Sequence, residues 1–152
     1  MLSGVLKMFL LNLERKLGYI LGGDIDDKMT GTANTAFCNH SKKTYALEES
    51  CYPFNVKVDR SEELFDIKSI GYDNFDGQLS HNVSAHPKVD RKTGELLCFG
   101  YDMMAGSVNY SLFNKERKLI HHLNVPIASP RMVHDFMMTE NYAIIPDSPL
   151  EF

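Results

Sequence analysis

Three things are scarce in this chain of 152 residues: cysteine, basic charge and unbroken apolar sequence. The cysteines are Cys38, Cys51 and Cys98, widely spaced and odd in number. No Cys-x-x-Cys pair exists, which argues against a zinc site built from thiolates. Reduced, partly buried thiols are the simpler expectation, as in a cytosolic protein. Lysine and arginine total 16 against 20 aspartates and glutamates, a formal net charge of -4. Gripping nucleic-acid phosphates takes a concentrated basic surface, so nucleic acid is not an expected partner. Residues 1–21 are apolar, but Lys7, Glu14, Arg15 and Lys16 interrupt them. A secretory signal would show an unbroken apolar run and a small-residue cleavage site. A membrane span would need about 18 or more nearly uncharged residues.

What is present reads as an ordinary globular protein, with 43% hydrophobic and 24% charged residues. The length favours one domain or a piece of one. In the first segment Leu2, Val5, Leu6, Phe9, Leu10, Leu13, Leu17 and Ile20 recur at three- and four-residue steps, the stripe of an amphipathic helix. Such a helix either packs on the body of the protein or rests on a membrane surface that holds an apolar substrate. Gly22, Gly23, Asp24, Asp26 and Asp27 end it in a loop, so 1–27 is read as helix and loop.

From residue 28 to 152 the pattern changes to short apolar or alternating runs between turn residues. Strands are predicted over 34–39, 43–49, 54–58, 64–70, 95–101, 109–113, 119–125, 131–137 and 142–145. Many short strands with regular turns predict an all-β sandwich, barrel or propeller. A weak repeat narrows this. Thr35-Ala36-Phe37, Ser84-Ala85-His86 and Val133-His134-Asp135-Phe136 each open a strand, polar turn, apolar strand unit. Their starts lie roughly fifty residues apart, near the period of propeller blades. Two or three blades fit this length, fewer than a closed propeller needs.

Six histidines are candidates for chemistry. His40 sits in a turn beside Ser41, and His121 and His122 point to opposite faces of one strand. These three, with His81, are read as ordinary surface or core residues. His86 and His134 stand at equivalent places in consecutive repeats, so both would face a common axis. Two imidazoles on one axis can share a metal, and imidazole suits iron, zinc, copper and nickel alike. Glu49, at the end of the first repeat's second strand, is placed to hold the outer nitrogen of such a histidine. A solvated glutamate beside Glu48 is the plainer reading of the same residue.

These residues carry a resemblance. Ser84-Ala85-His86-Pro87-Lys88-Val89-Asp90, with Thr93-Gly94-Glu95 and Phe99-Gly100-Tyr101-Asp102, resembles the first iron-histidine segment of the carotenoid cleavage oxygenases. His134-Asp135-Phe136, with Thr139-Glu140-Asn141-Tyr142 and Pro146-Asp147, resembles the second. Gly31-Thr32-Ala33-Asn34-Thr35, Ala46-Leu47-x-Glu49 and Pro53-Phe54 resemble the blade upstream, although Ser50-Cys51 stands where many members have Gly-Gly.

The resemblance implies a seven-bladed propeller with one Fe(II) on its axis, held by four histidines, three of them oriented by glutamates. His86 and His134 match the first two ligands and Glu49 the first of those glutamates. The other ligands lie further along the family's chain than Phe152. The implied reaction is oxidative cleavage of a conjugated C=C bond of a carotenoid, apocarotenoid or stilbene-like substrate by O2, giving two carbonyl products. An inactive propeller piece and a relative that isomerises a retinoid ester remain open. A cytoplasmic or peripheral-membrane location is expected, or a plastid if the natural chain begins further upstream. Phe136, Met137, Met138, Met103 and Met104 are read as ordinary core or the lining of an apolar path. Asp135 is expected to anchor a neighbouring loop.

Overall fold

Alternating side chains between turn residues fold here into antiparallel strands. The computed structural model describes residues 13, 27–60, 65–102, 106–127 and 132–147. The helix expected over the first residues, and the membrane contact tied to it, lie outside the described residues apart from Leu13. Met103 and Met104 lie outside them too. No described helix is long and apolar enough to cross a membrane.

A single turn of 3-10 helix at Asp27–Met29 precedes ten strands: β1 (Ala36–His40), β2 (Lys43–Leu47), β3 (Phe54–Arg60), β4 (Phe65–Tyr72), β5 (Lys88–Val89), β6 (Leu96–Asp102), β7 (Ser107–Phe113), β8 (Leu119–Pro126), β9 (Met137–Met138) and β10 (Ala143–Ile144). They form two four-stranded antiparallel sheets, ordered β1-β2-β3-β4 and β5-β6-β7-β8, and a two-stranded pair of β9 with β10. The protein is all-β over the described residues that pair. The first strand of each sheet begins at Ala36, Lys88 and Met137, so the arrangement restarts about every fifty residues.

Local chemistry sets the turns. His40 pairs with Lys43, and Ser41 and Lys42 between them both hold positive φ, the backbone of a two-residue hairpin whose twist matches the strands. The β5–β6 turn is tied by Asp90, whose side chain accepts from the N–H groups of Lys92 (2.6 Å) and Thr93 (3.3 Å). In the β7–β8 turn the Asn114 side chain does the same for Glu116 and Lys118. Polar side chains that bond the nearby backbone favour turns over ladders.

Two expectations are corrected. The strand over 131–137 is absent: among its described residues only Met137 is paired, and 132–136 are irregular. Asp135 Oδ1 accepts the Phe136 N–H at 2.7 Å, and the His134 carbonyl is taken by the Ser84 hydroxyl from the segment ahead of β5, so this backbone bonds outside any ladder. β5 was missing from the strand prediction because its two residues are too short to show a period.

The core explains the second sheet's central place. β6 reads Leu-Leu-Cys-Phe-Gly-Tyr and is buried from Leu96 to Tyr101. Successive side chains of a strand face opposite ways. Leu96 and Cys98 join a cluster with Tyr45, Leu47, Phe75 and Phe113 towards the first sheet. Leu97, Phe99 and Tyr101 join Val108, Val133 and Phe136 on the other side. An apolar run without alternation is the mark of a strand covered on both faces. Across the first contact Arg117 of the β7–β8 turn reaches Asp73 just past β4 at 2.5 Å, and Lys43 meets the same carboxylate at 2.7 Å. Burial alone would raise the Asp73 carboxyl. Bonds from Lys43 and the Phe75 N–H, with the Arg117 charge, bring it below its ordinary range.

The outer strand of the first sheet is different. Phe65, Ile67 and Ile70 of β4 are exposed, with Val58 of β3 paired opposite Ile67.

Candidate metal centre

Three irregular segments, one from each sheet's entry or exit, meet at one place. Glu49 stands two residues after β2, His86 two before β5 and His134 three before β9. The ligand-capable atoms of Glu49, His86 and His134 all lie within 4.8 Å of one another. The repeat had suggested that each histidine lies within a strand; instead each sits in the irregular segment that leads into one.

The Nε2 atoms of His86 and His134 are 3.0 Å apart. Their rings meet edge to face, with centroids 4.5 Å apart and planes at 73°. Behind His134, its Nδ1 lies 3.2 Å from Glu49 Oε1. That contact is close but out of line for a hydrogen bond, and both carboxylate oxygens of Glu49 are buried with no hydrogen-bond partner among the described residues. The plain reading of Glu49 as a solvated glutamate therefore fails. A carboxylate near Nδ1 favours the tautomer with the proton there and leaves the Nε2 lone pair free. That lone pair is aimed at the other Nε2. Buried carboxylate oxygens without a partner are costly, and a nearby cation or protonated imidazole offsets the cost.

The Asp135 carboxylate meets Lys88 at 2.7 Å, a contact to strand β5 and not to the loop expected of it. Phe136 is core, and Met137 is exposed, so neither lines a buried path here.

The remaining histidines stand apart from this place. His40 is buried, the core alternative of its reading, at the end of β1 beside the turn, and its ring stacks at 6.2 Å on Phe75. Burial lowers its pKa, against the pull of backbone groups at Asn114 and Gly94. His81 is buried as well. Its Nδ1 lies 2.6 Å from the Asn82 carbonyl, and its Nε2 2.7 Å from Ser111 Oγ, which lies 3.0 Å from Nδ1 of His122. The carbonyl only accepts, so Nδ1 carries the proton and Nε2 accepts from Ser111. Burial lowers the His81 pKa to about 4. The three cysteines are thiols without a disulfide, and burial pushes Cys38 up to about 11. Neutral thiols of this kind are poor ligands and poor nucleophiles.

Residues 11–152 match the family described as retinal pigment epithelial membrane protein. A carotenoid 9,10(9',10')-cleavage dioxygenase of Pisum sativum is 43% identical over 80% of this chain and 22% of its own length. A chloroplastic 9-cis-epoxycarotenoid dioxygenase of Arabidopsis thaliana is 31% identical over 99% of this chain and 25% of its own. The crystal structure of a lignostilbene dioxygenase from Pseudomonas brassicacearum superposes with a TM-score of 0.66 and 33% identity, covering 76% of this chain and 24% of that one. The chain thus spans about a quarter or less of the length of these relatives. With the family match running over nearly all of its residues, the chain belongs to the retinal pigment epithelial membrane protein family, which includes the carotenoid cleavage dioxygenases.

Proposed function

We propose that this chain supplies part of the iron(II) centre of an oxygenase that cleaves a conjugated C=C bond of a carotenoid, apocarotenoid or stilbene-like substrate with O2. The products are two carbonyl compounds. The two four-stranded meanders are then consecutive blades of a β-propeller, and the β9–β10 pair begins the next. The observation that carries this is the pair of Nε2 atoms 3.0 Å apart, with a buried carboxylate behind one of them.

The donor set suits a divalent ion. The two Nε2 atoms stand 3.0 Å apart, close enough for one ion to be held by both. Neutral imidazoles and an outer carboxylate are a donor set that iron accepts. His86 and His134 would hold the ion through Nε2. Glu49 keeps the His134 proton on Nδ1 and balances charge without ligating. Two protein ligands leave positions for further groups and for O2. Iron bound there supplies the activation of O2, and the protein contributes orientation and electrostatics.

Metal analysis of the natural full-length protein tests this, beside His86→Ala and His134→Ala. Stoichiometric iron in the wild type and its loss from both variants is the expected result. Full iron in both variants would remove these two residues from the ligand set.

A further inference from the structure

The metal-centre reading leaves a question of rigidity. Glu49 and His134 lie in irregular segments, with no strand ladder to fix them. The segment Asn82 to His86 takes the place of that ladder. The Asn82 side-chain amide donates to the Glu49 carbonyl at 2.8 Å and to the Tyr101 carbonyl at 3.3 Å. The Val83 N–H donates to the Cys51 carbonyl at 3.0 Å, and the Ser84 N–H to the Phe99 carbonyl at 2.7 Å. The Ser84 hydroxyl donates to the His134 carbonyl at 2.9 Å and accepts the His86 N–H at 3.4 Å. Ser84 is fully buried.

We infer that Asn82 and Ser84 are positioning residues, which tie the backbones of Glu49, His86 and His134 to one segment and so set the aim of the two imidazoles. The inference rests on the metal reading above. The chain bends at Ala85, between Ser84 and His86, and the Ser84 hydroxyl spans that bend to the His86 N–H. Asn82 faces the first sheet's exit loop, and Ser84 faces the entry to the third pair. A serine hydroxyl both donates and accepts, so one atom links the two histidine backbones. Ligand sets must hold their geometry to about 0.5 Å, and a buried hydroxyl bonded to both histidine backbones does this where a loop alone cannot.

Cobalt(II), added to the metal-free natural full-length protein, is the probe, read by its visible absorption. Urea unfolding of each metal-free protein is measured beside it. Ser84→Ala and Asn82→Asp each remove a donor with little change of shape. Cys98→Ala, a buried change in the neighbouring core, controls for lost packing. The expected result is affinity at least about tenfold weaker, with an altered absorption band, in the first two variants, and within about twofold of wild type in the control. Should Ser84→Ala not fold, Asn82→Asp decides. Wild-type affinity in the folded donor variants, or losses that merely follow the stability of all three, overturns the positioning role. No cobalt binding by the wild type overturns the metal reading itself, and this inference with it.

Discussion

Gly100 of β6 packs so tightly on Asn82 that a Cβ at residue 100 would stand 1.9 Å from the Asn82 carbonyl oxygen. That atom is backbone, and the same carbonyl receives the His81 ring. Neither side of the contact has a flexible end to move away. Gly100→Ala is therefore expected to lower stability by at least about 1–3 kcal/mol, the ordinary cost of overpacking. Urea unfolding measures it, and an unchanged midpoint would contradict the close approach.

The contact between Asp73 and Arg117 joins the first two sheets where both side chains are largely buried, at 10% and 14% exposure. Removing one partner leaves the other charge in place with less to meet it. Arg117→Ala is expected to cost about 2–3 kcal/mol, towards the low end for buried pairs. Lys68→Ala, which breaks an exposed contact to Asp59, is expected to change little. A double-mutant cycle with Asp73→Asn separates the pair's coupling from lost packing.

His81 gives the protein a pH dependence with a defined sign. Its folded pKa, about 4, lies below the ordinary 6.5 because burial disfavours the charged ring. Above pH 6.5 both folded and unfolded forms are neutral there, and the stability is fully present. As pH falls from 6.5 towards 4 the unfolded chain takes up the proton first, and about 3 kcal/mol is lost. His40 is lowered too and adds in the same direction. Unfolding free energies from pH 7 to 4 check the slope, and NMR titration of the His81 ring checks the midpoint. A His81 midpoint near 6.5 would defeat the prediction.

Glu49→Gln keeps the shape of the side chain and removes its charge. If Glu49 acts through the His134 ring, iron affinity falls about 10- to 100-fold, with the ligands themselves intact. His134→Ala is expected to do more damage than this. Equal iron retention in wild type and Glu49→Gln, read by competition with a chelator, would return Glu49 to a purely structural place.

Much of this was legible in the residues. Alternation between turn signals placed most of the strands to within a few residues, since the pleat forces a period of two wherever one face is buried. The pairing of His86 with His134 followed from their equal place in a repeat. Other features had no such signal. β5 is too short for a period, and the segment 132–136 looked like a strand because its apolar residues, Val133 and Phe136, serve the core without a ladder. Asn82 and Ser84 were missed because their partners lie far off in sequence, at Glu49 and His134. His40 looked like a turn residue because burial of its ring comes from Phe75, which packs over it from a distant loop.

β6 separates two compartments that share no side chain, and every residue from Leu96 to Tyr101 except Gly100 belongs to one or to the other. Such a strand has no neutral side on which substitutions accumulate freely. A change at Leu97 calls for a compensating change towards Val133, and one at Cys98 for a change towards the first sheet. Two independent sets of coevolving positions, interleaved at every second residue of a single strand, are the pattern this wall should leave in its descendants.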